Sequence, residues 1–400
     1  MPERVLIVGA SAAGLTAAEA LRRRGYDGGL TLIGAEPHPP YDRPPLSKQV
    51  LSGDWSPEKV LLRSEQHLGA LDADLRLGRP AVGLDPAARQ VRLAGGGSID
   101  YDALLITTGA MPRRLRGADL AGVHVLRTVD DALALRAGLM AGPRVVVVGA
   151  GFLGAEVAAV ARGMGLDVTV VEQLPVPVYR QLGARIGALI GEVHRDHGVV
   201  LRCGVGVSRF LAAAGRVVGV ELSDGAVLDA DLVLVAVGAT PAAGWLAGSG
   251  LTLGNGVECD DRCQAGPGIW AAGDVASWPN PLFGTRMRVE HRMNATEQAI
   301  AAAGNILGDD KPFAPALYFW SDQYDTRIQA YGAFPADAQV RILCGDVAER
   351  RFVATYVSRG TVVGVLGWNS PREVRAGRRL VVERAPWPAV EAAAGATEQR

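Results

Sequence analysis

Two stretches of the chain have the residue types to hold phosphate. Val5-Leu6-Ile7-Val8 runs directly into Gly9-Ala10-Ser11-Ala12-Ala13-Gly14 and an alanine-rich run to Leu21, and Val145-Val146-Val147-Val148 runs into Gly149-Ala150-Gly151-Phe152-Leu153-Gly154. In each, apolar β-formers give way to small residues and then to helix formers, the pattern of a buried strand feeding a helix N-terminus. Backbone N–H groups there carry partial positive charge, and residues with little side chain let a pyrophosphate reach them. The second copy is a full G-x-G-x-x-G; the first has Ser11 at its second glycine. The repeat predicts that one chain holds two dinucleotides, one on Gly9, Ser11, Ala12, Ala13 and Gly14, the other on Gly149, Gly151, Leu153 and Gly154.

Acids follow each turn at the distance a ribose needs. Glu36 stands just past the strand expected over Leu30–Ile33, and Glu172 ends the strand expected over Asp167–Val171. A carboxylate at such a strand end accepts from ribose hydroxyls, and it repels a 2′-phosphate. Gln173 follows Glu172 and no arginine precedes Arg180, so the second site predicts NADH rather than NADPH. Between the two turns lies Pro39-Pro40-Tyr41-Asp42-Arg43-Pro44-Pro45-Leu46-Ser47-Lys48. Its four prolines make a rigid loop that cannot be strand interior. Such a loop either fixes Arg43 and Lys48 as cations beside an anionic or electron-accepting group, or only covers a sheet edge. Further strands end in small-residue turns at Thr108-Gly109, Gly238 and Gly273-Asp274. Asp274 is placed to meet a polyol hydroxyl, although Gly-Asp is also an ordinary turn.

The elements that must position these residues set the fold class. Four hundred residues exceed one compact core, and 48% apolar composition with 51 glycines fits α/β architecture with parallel strands buried on both faces. We expect two Rossmann-like dinucleotide-binding domains plus a C-terminal α+β domain. The first is discontinuous, 1–113 and 248–317, with an antiparallel hairpin of Gln90–Leu93 and Ile99–Tyr101 inserted; the second spans 114–247. From Tyr318 the sequence turns strand-rich, and 318–400 forms the third domain, its tail frayed from Ala385. Asp130 and Asp131 favour a helix start after Leu126-Arg127-Thr128. Net charge of −1 gives no reason to expect a nucleic acid partner, so a charged partner must be met by a local patch. Four cysteines without C-x-x-C spacing read as reduced thiols of a cytoplasmic protein, Cys259 and Cys263 included. Neither a leader nor a bilayer-length apolar run is expected.

Taken in order, Gly9 to Gly14, Glu36, Tyr41 to Lys48, Thr107 to Gly109, Leu126 to Thr128, Gly149 to Glu156, Gly238 to Pro241, Gly273-Asp274, Glu290 to Ala295, Phe319 to Gln323 and Pro371 to Leu380 resemble a known family. The chain is similar to FAD- and NADH-dependent ferredoxin reductases of glutathione-reductase-like fold, the group of putidaredoxin reductase, rhodocoxin reductase and the reductases of biphenyl-type dioxygenases. The Arg-Pro-Pro-Leu-Ser-Lys and Phe-Trp-Ser-Asp-Gln segments carry the specificity of that match; the glycine turns are shared with many flavoproteins. The resemblance implies FAD on the first turn and NADH on the second. It implies Lys48 beside flavin N5, paired with Glu156; Arg127 and Asp274 at the phosphate or ribityl portion; backbone near Ala81, with Arg292, completing the site; and Trp320 near the isoalloxazine. Ser11, Ala81 and Arg292 depart from the family's more frequent glycine, valine and tryptophan. No cysteine follows the first βαβ unit, as a disulfide reductase or a peroxidase would require. Electrons should therefore leave singly, to a small acidic iron-sulfur ferredoxin serving a P450 or a ring-hydroxylating dioxygenase. Docking candidates are Arg292, Arg327, Arg372 and Arg375, with Arg378 and Arg379. A rubredoxin acceptor, an NADH oxidase or peroxidase, and a non-enzymatic flavin-binding protein are the alternatives.

Overall fold

The computed structural model describes residues 1–398, with side chains through Ala393. The chain divides into two compact units, the first of residues 1–42, 58–111 and 240–317, the second of 43–57, 112–239 and 318 onward.

In the first unit a six-stranded sheet runs Gln264–Gly266, Ile269–Ala271, Ala103–Ile106, Arg4–Val8, Gly29–Ile33, Asp74–Arg76. Every pairing is parallel except that of Gln264–Gly266. Helices Ala12–Arg23 and Arg292–Ile306 supply apolar surface to its core, through Ala17, Ala18 and Leu21 of one and Ala299, Ala302 and Ala303 of the other. The register of the parallel strands sets where the site forms. Val8 pairs with Ile33 and with Ile106, and Ile106 with Ala271. The strands therefore end level, and the segments beginning at Gly9, Gly34, Thr107 and Ala272 leave the same carboxyl edge, where ligands of open α/β sheets bind. The expected hairpin gains a third strand, Ala81–Asp85, because Leu84 and Val91 both bury an apolar side chain.

The second unit holds a five-stranded parallel sheet, Val200–Cys203, Val168–Glu172, Val145–Val148, Leu232–Val235, Val123–His124. Val148 is level with Val171 and Val235, so Gly149, Glu172 and Ala236 share its carboxyl edge. From Tyr318 the chain forms an antiparallel five-stranded sheet, Tyr318–Gln323, Thr326–Gly332, Thr361–Trp368, Arg351–Ser358, Gln339–Asp346, followed by helix Pro371–Val382. Its buried Ile328, Phe352, Tyr356 and Trp368 pack in one core with Leu182, Ile186 and Ile190 of helix Tyr179–Asp196. The expected α/β class with a C-terminal α+β domain is what the chain forms. Within the tail expected to fray, Trp387–Glu398 forms a helix. Proline is tolerated in a first helical turn, the alanine run after it has high helix propensity, and Trp387 N–H donates to Gly360 O at 2.9 Å. Gln399 and Arg400 lie outside the described residues. Among the described residues no helix is long and apolar enough to cross a membrane.

Candidate functional site

Within the first unit the glycine turn is built for close approach. Gly9 holds φ +122°, and a Cβ on it would lie 2.2 Å from Thr107 O; a Cβ on Gly14 would lie 2.0 Å from Gly9 O. Ser11 is different. It is the N-cap of helix Ala12–Arg23 with φ −121°, extended backbone open to any residue, which is why serine substitutes for glycine there. The helix start has no side-chain cap and no acid in its first turn. Helix Val129–Leu139 closes its own start with a Thr128/Asp131 capping box. The uncapped N–H groups above Ser11 are thus left for an anionic ligand, and the residues present fit a pyrophosphate.

Glu36, Thr108 and Asp274 each follow a strand that ends on the same carboxyl edge. The Tyr41 hydroxyl is hydrogen-bonded to Glu36 Oε2. Thr107 Oγ1 reaches Val8 O at 3.1 Å and Gly9 O at 2.9 Å, and Thr108 Oγ1 donates to Ala242 O at 2.8 Å, which ties down the turn at Gly109, φ +75°. Gly273 N donates to Gln298 Oε1 at 2.9 Å, and a Cβ on Gly273 would come 3.3 Å from that of Ala13. Beside this turn Asn294 Oδ1 is buried without a partner, which suits a ligand bearing a hydroxyl or amide donor. The Asp274 carbonyl accepts from Arg288 at 3.0 Å, and Ala81 starts the added strand. Arg292 is bound to Asp42 and to Thr296 and is 22% exposed.

The second unit repeats the cradle. Gly149 has φ +100° and Gly154 has no room for a Cβ, which would lie 2.0 Å from Gly149 O. Helix Phe152–Gly163, which contains Leu153, starts at Gly151 with neither cap nor early acid, and a Cβ on Gly151 would meet nothing nearer than 3.6 Å. Glu172 spans the edge: Oε2 accepts from Ala150 N at 2.7 Å and Oε1 from Leu174 N at 2.9 Å. Each carboxylate oxygen keeps a further lone pair for a hydroxyl. Gly238 has φ +94°, and Arg180 is exposed in the first turn of Tyr179–Asp196.

The same unit contains an ion pair between Lys48 and Glu156. Prolines 44 and 45 start a 3-10 turn, Pro44–Ser47, and Lys48 is its C-cap, at φ −127°, ψ −101°, before the short helix Gln49–Ser52. Lys48 Nζ lies 2.5 Å from Glu156 Oε2, the two side chains 12% and 8% exposed. Ser47 Oγ donates to the same oxygen at 2.6 Å, Ser321 Oγ donates to Oε1 at 2.8 Å, and Lys48 also reaches Pro44 O at 3.1 Å. Removing one member of such a buried pair leaves an uncompensated charge. Arg43 Nη1 donates to Arg127 O at 2.6 Å, and Arg127 N to Asp131 Oδ2 at 3.0 Å. Trp320 stacks beside Tyr318 at 6.0 Å between ring centroids. The sequence pairs Lys48 with Glu156 only through resemblance; the two serines were missed, although both stand inside the two most specific segments.

Of the docking candidates in this unit, Arg372 and Arg375 are exposed three residues apart on helix Pro371–Val382, whose Val374, Gly377 and Val381 are buried. Arg378 is exposed on the same helix, Arg379 meets Glu383 at 3.6 Å, and Arg327 meets Asp322 at 3.6 Å. Burial pushes the Cys259 thiol up to about 12 and that of Cys263 further, and both are free thiols.

Comparison with known proteins agrees with this geometry. Residues 3–299 match the family described as pyridine nucleotide-disulphide oxidoreductase, and residues 318–400 the reductase C-terminal family. Rhodocoxin reductase of Rhodococcus erythropolis is 37% identical over 97% of this chain and 92% of its own length. The crystal structure of the ferredoxin reductase for the CYP199A2 system of Rhodopseudomonas palustris superposes with TM-score 0.91 at 38% identity, covering 94% of this chain and 93% of that one. Putidaredoxin reductase, in its covalent complex with putidaredoxin, gives TM-score 0.92 at 31% identity, covering 98% and 99%. With both of its parts matched and relatives aligned along nearly its whole length, the chain belongs to the ferredoxin reductases of the pyridine nucleotide-disulphide oxidoreductase family.

Proposed function

We propose that this chain is a cytoplasmic flavoprotein reductase that passes electrons from NADH through FAD to a small acidic iron-sulfur ferredoxin serving a P450 or a ring-hydroxylating dioxygenase. The observation that carries the reading is the Lys48–Glu156 pair, whose carboxylate stands on the helix that starts at the second glycine turn. FAD, when bound, supplies the chemistry: it takes hydride from NADH and releases electrons one at a time.

The chain's own residues bind and tune. Residues 1–113 and 248–317 are assigned to FAD and 114–247 to NADH. Amides from Ser11 to Gly14 hold the FAD pyrophosphate, Glu36 the adenosine ribose, and Thr108, Gly109, Ala81, Asp274 and Arg292 its remaining polar edge. Arg43 and Arg127 add positive charge to the flavin phosphate, and Trp320 an aromatic face. Gly149 to Gly154 and Gly238 cradle NADH with Arg180, and Glu172 takes its ribose hydroxyls while repelling a 2′-phosphate. Lys48 Nζ stabilises negative charge developing on the electron acceptor, and Glu156 keeps that ammonium in place until nicotinamide arrives. Arg372, Arg375 and Arg327 dock the acidic partner.

The test is anaerobic stopped-flow reduction by NADH. Lys48→Ala is expected to retain FAD and slow flavin reduction by about 10²-fold; an unchanged rate with FAD bound would remove Lys48 from the mechanism. A panel of ferredoxins, scored by NADH-driven cytochrome c reduction, tests the partner.

A further inference from the structure

Behind the Lys48–Glu156 pair a line of polar side chains crosses the interior of the second unit. Ser321 Oγ is 2.8 Å from Glu156 Oε1, Gln323 Nε2 is 3.1 Å from Ser321 Oγ, His194 Nε2 is 2.9 Å from Gln323 Oε1, and the Tyr324 hydroxyl is 3.2 Å from His194 Nδ1. Ser321, Gln323 and His194 are all at most 2% exposed. Ser321 and Gln323 alternate on strand Tyr318–Gln323 and so share a face. His194 comes from helix Tyr179–Asp196, and Tyr324 follows the strand at φ +53°, its ring stacked on His197 at 3.7 Å. Apolar residues would pack such an interior without the desolvation cost of four polar groups.

Hydrogen-bond logic gives the line a direction. A carboxylate only accepts, so Ser321 must spend its single proton on Glu156. Ser321 can then only accept from Gln323, which sets the amide with Nε2 toward Ser321 and Oε1 toward His194. The amide oxygen requires the imidazole proton on Nε2, and the lone pair left on Nδ1 takes the Tyr324 proton. Burial lowers His194 to about 4, so the ring stays neutral with one nitrogen free to accept, and it raises Tyr324, which keeps its proton through neutral pH. All donors point toward Glu156. An amide in the middle relays no proton, so the line acts through alignment of dipoles rather than as a proton path.

We infer that Ser321, Gln323 and His194 are positioning residues that hold Glu156 as a fixed carboxylate through its Oε1, leaving Oε2 to Lys48 and Ser47. The inference rests on the role proposed above for Glu156. Among the described residues, the charged side chain bonded to Glu156 is Lys48; the titratable groups at His194 are Tyr324 and His197, and Arg162 faces Tyr324.

The experiment measures NADH-driven flavin reduction of the FAD-loaded enzyme by stopped flow from pH 5 to 9. Ser321→Ala removes one charge-assisted donor and is expected to move the acid limb up by about one pH unit, with the NADH Kd changed less than about twofold; Ser321→Thr restores the limb. Gln323→Glu offers Ser321 a second carboxylate and draws its proton away from Glu156, so it shifts the limb in the same sense. An unmoved limb in Ser321→Ala, when Glu156→Gln abolishes it, overturns the positioning role. A limb indifferent to Glu156→Gln overturns the role of Glu156 itself. Nitrogen-15 NMR of His194 reports on the line alone: the Nε2–H tautomer is expected, and Nδ1–H would refute its direction.

Discussion

Ser11 and Gly14 stand three residues apart in one turn and tolerate opposite changes. Ser11 sits in extended backbone, whereas a Cβ on Gly14 would lie 2.0 Å from Gly9 O. Ser11→Gly should therefore keep FAD and cost less than about 1 kcal/mol, while Gly14→Ala should purify depleted of FAD with a lowered Tm; flavin absorbance per chain and thermal melts check both. The serine departure was legible from sequence and its harmlessness was not, because a motif records residue types and not φ. Glu172 shows the reverse case. Its place at a strand end was readable, and the structure adds that it also straps Ala150 N and Leu174 N. Glu172→Gln keeps an acceptor oxygen and removes the charge, so the NADPH/NADH ratio of kcat/KM should rise about tenfold as like-charge repulsion is lost; an unchanged ratio would assign the preference elsewhere.

At the scale of elements, the contrast among helix starts separates structure from function. Val129–Leu139 closes its own N-terminus with Thr128 and Asp131, while Ala12–Arg23 and Phe152–Gly163 leave theirs open. Sequence spacing located all three starts, since apolar strands, glycine turns and early acids are local signals. It could not show that helix Tyr179–Asp196 brings His194 into a strand of the C-terminal sheet, 129 positions away from Gln323. That burial has a pH consequence. A histidine lowered from 6.5 to about 4 binds no proton in the native state where the unfolded chain does, so stability is intact above pH 6.5 and falls as pH drops toward 4. Urea titrations should show a His194-dependent loss of about 2 kcal/mol between pH 7 and pH 5, absent in His194→Gln.

For the whole molecule, a net charge of −1 leaves recognition of an acidic partner to local surface. We propose Arg372 and Arg375 for that surface; both are exposed on a helix whose Val374, Gly377 and Val381 are buried. Arg372→Glu with Arg375→Glu should lower ferredoxin kcat/KM about tenfold and flatten its salt dependence, leaving NADH–ferricyanide activity unchanged; loss of both activities together would point to damage rather than docking. By itself the sequence determined the two glycine turns, the acid after each, the parallel sheets and the strand-rich C-terminal domain, because each is written in a run of neighbouring residues. Only the tertiary structure decided that Arg292 pairs with Asp42, that Trp387–Glu398 is helical, and that Ser47 and Ser321 meet on Glu156 with Lys48. The physical reason is common to these cases. A buried charge is stabilised by whichever donors the fold brings to it, and those donors come from 108, 109 and 165 positions away in the chain, beyond the reach of any local pattern.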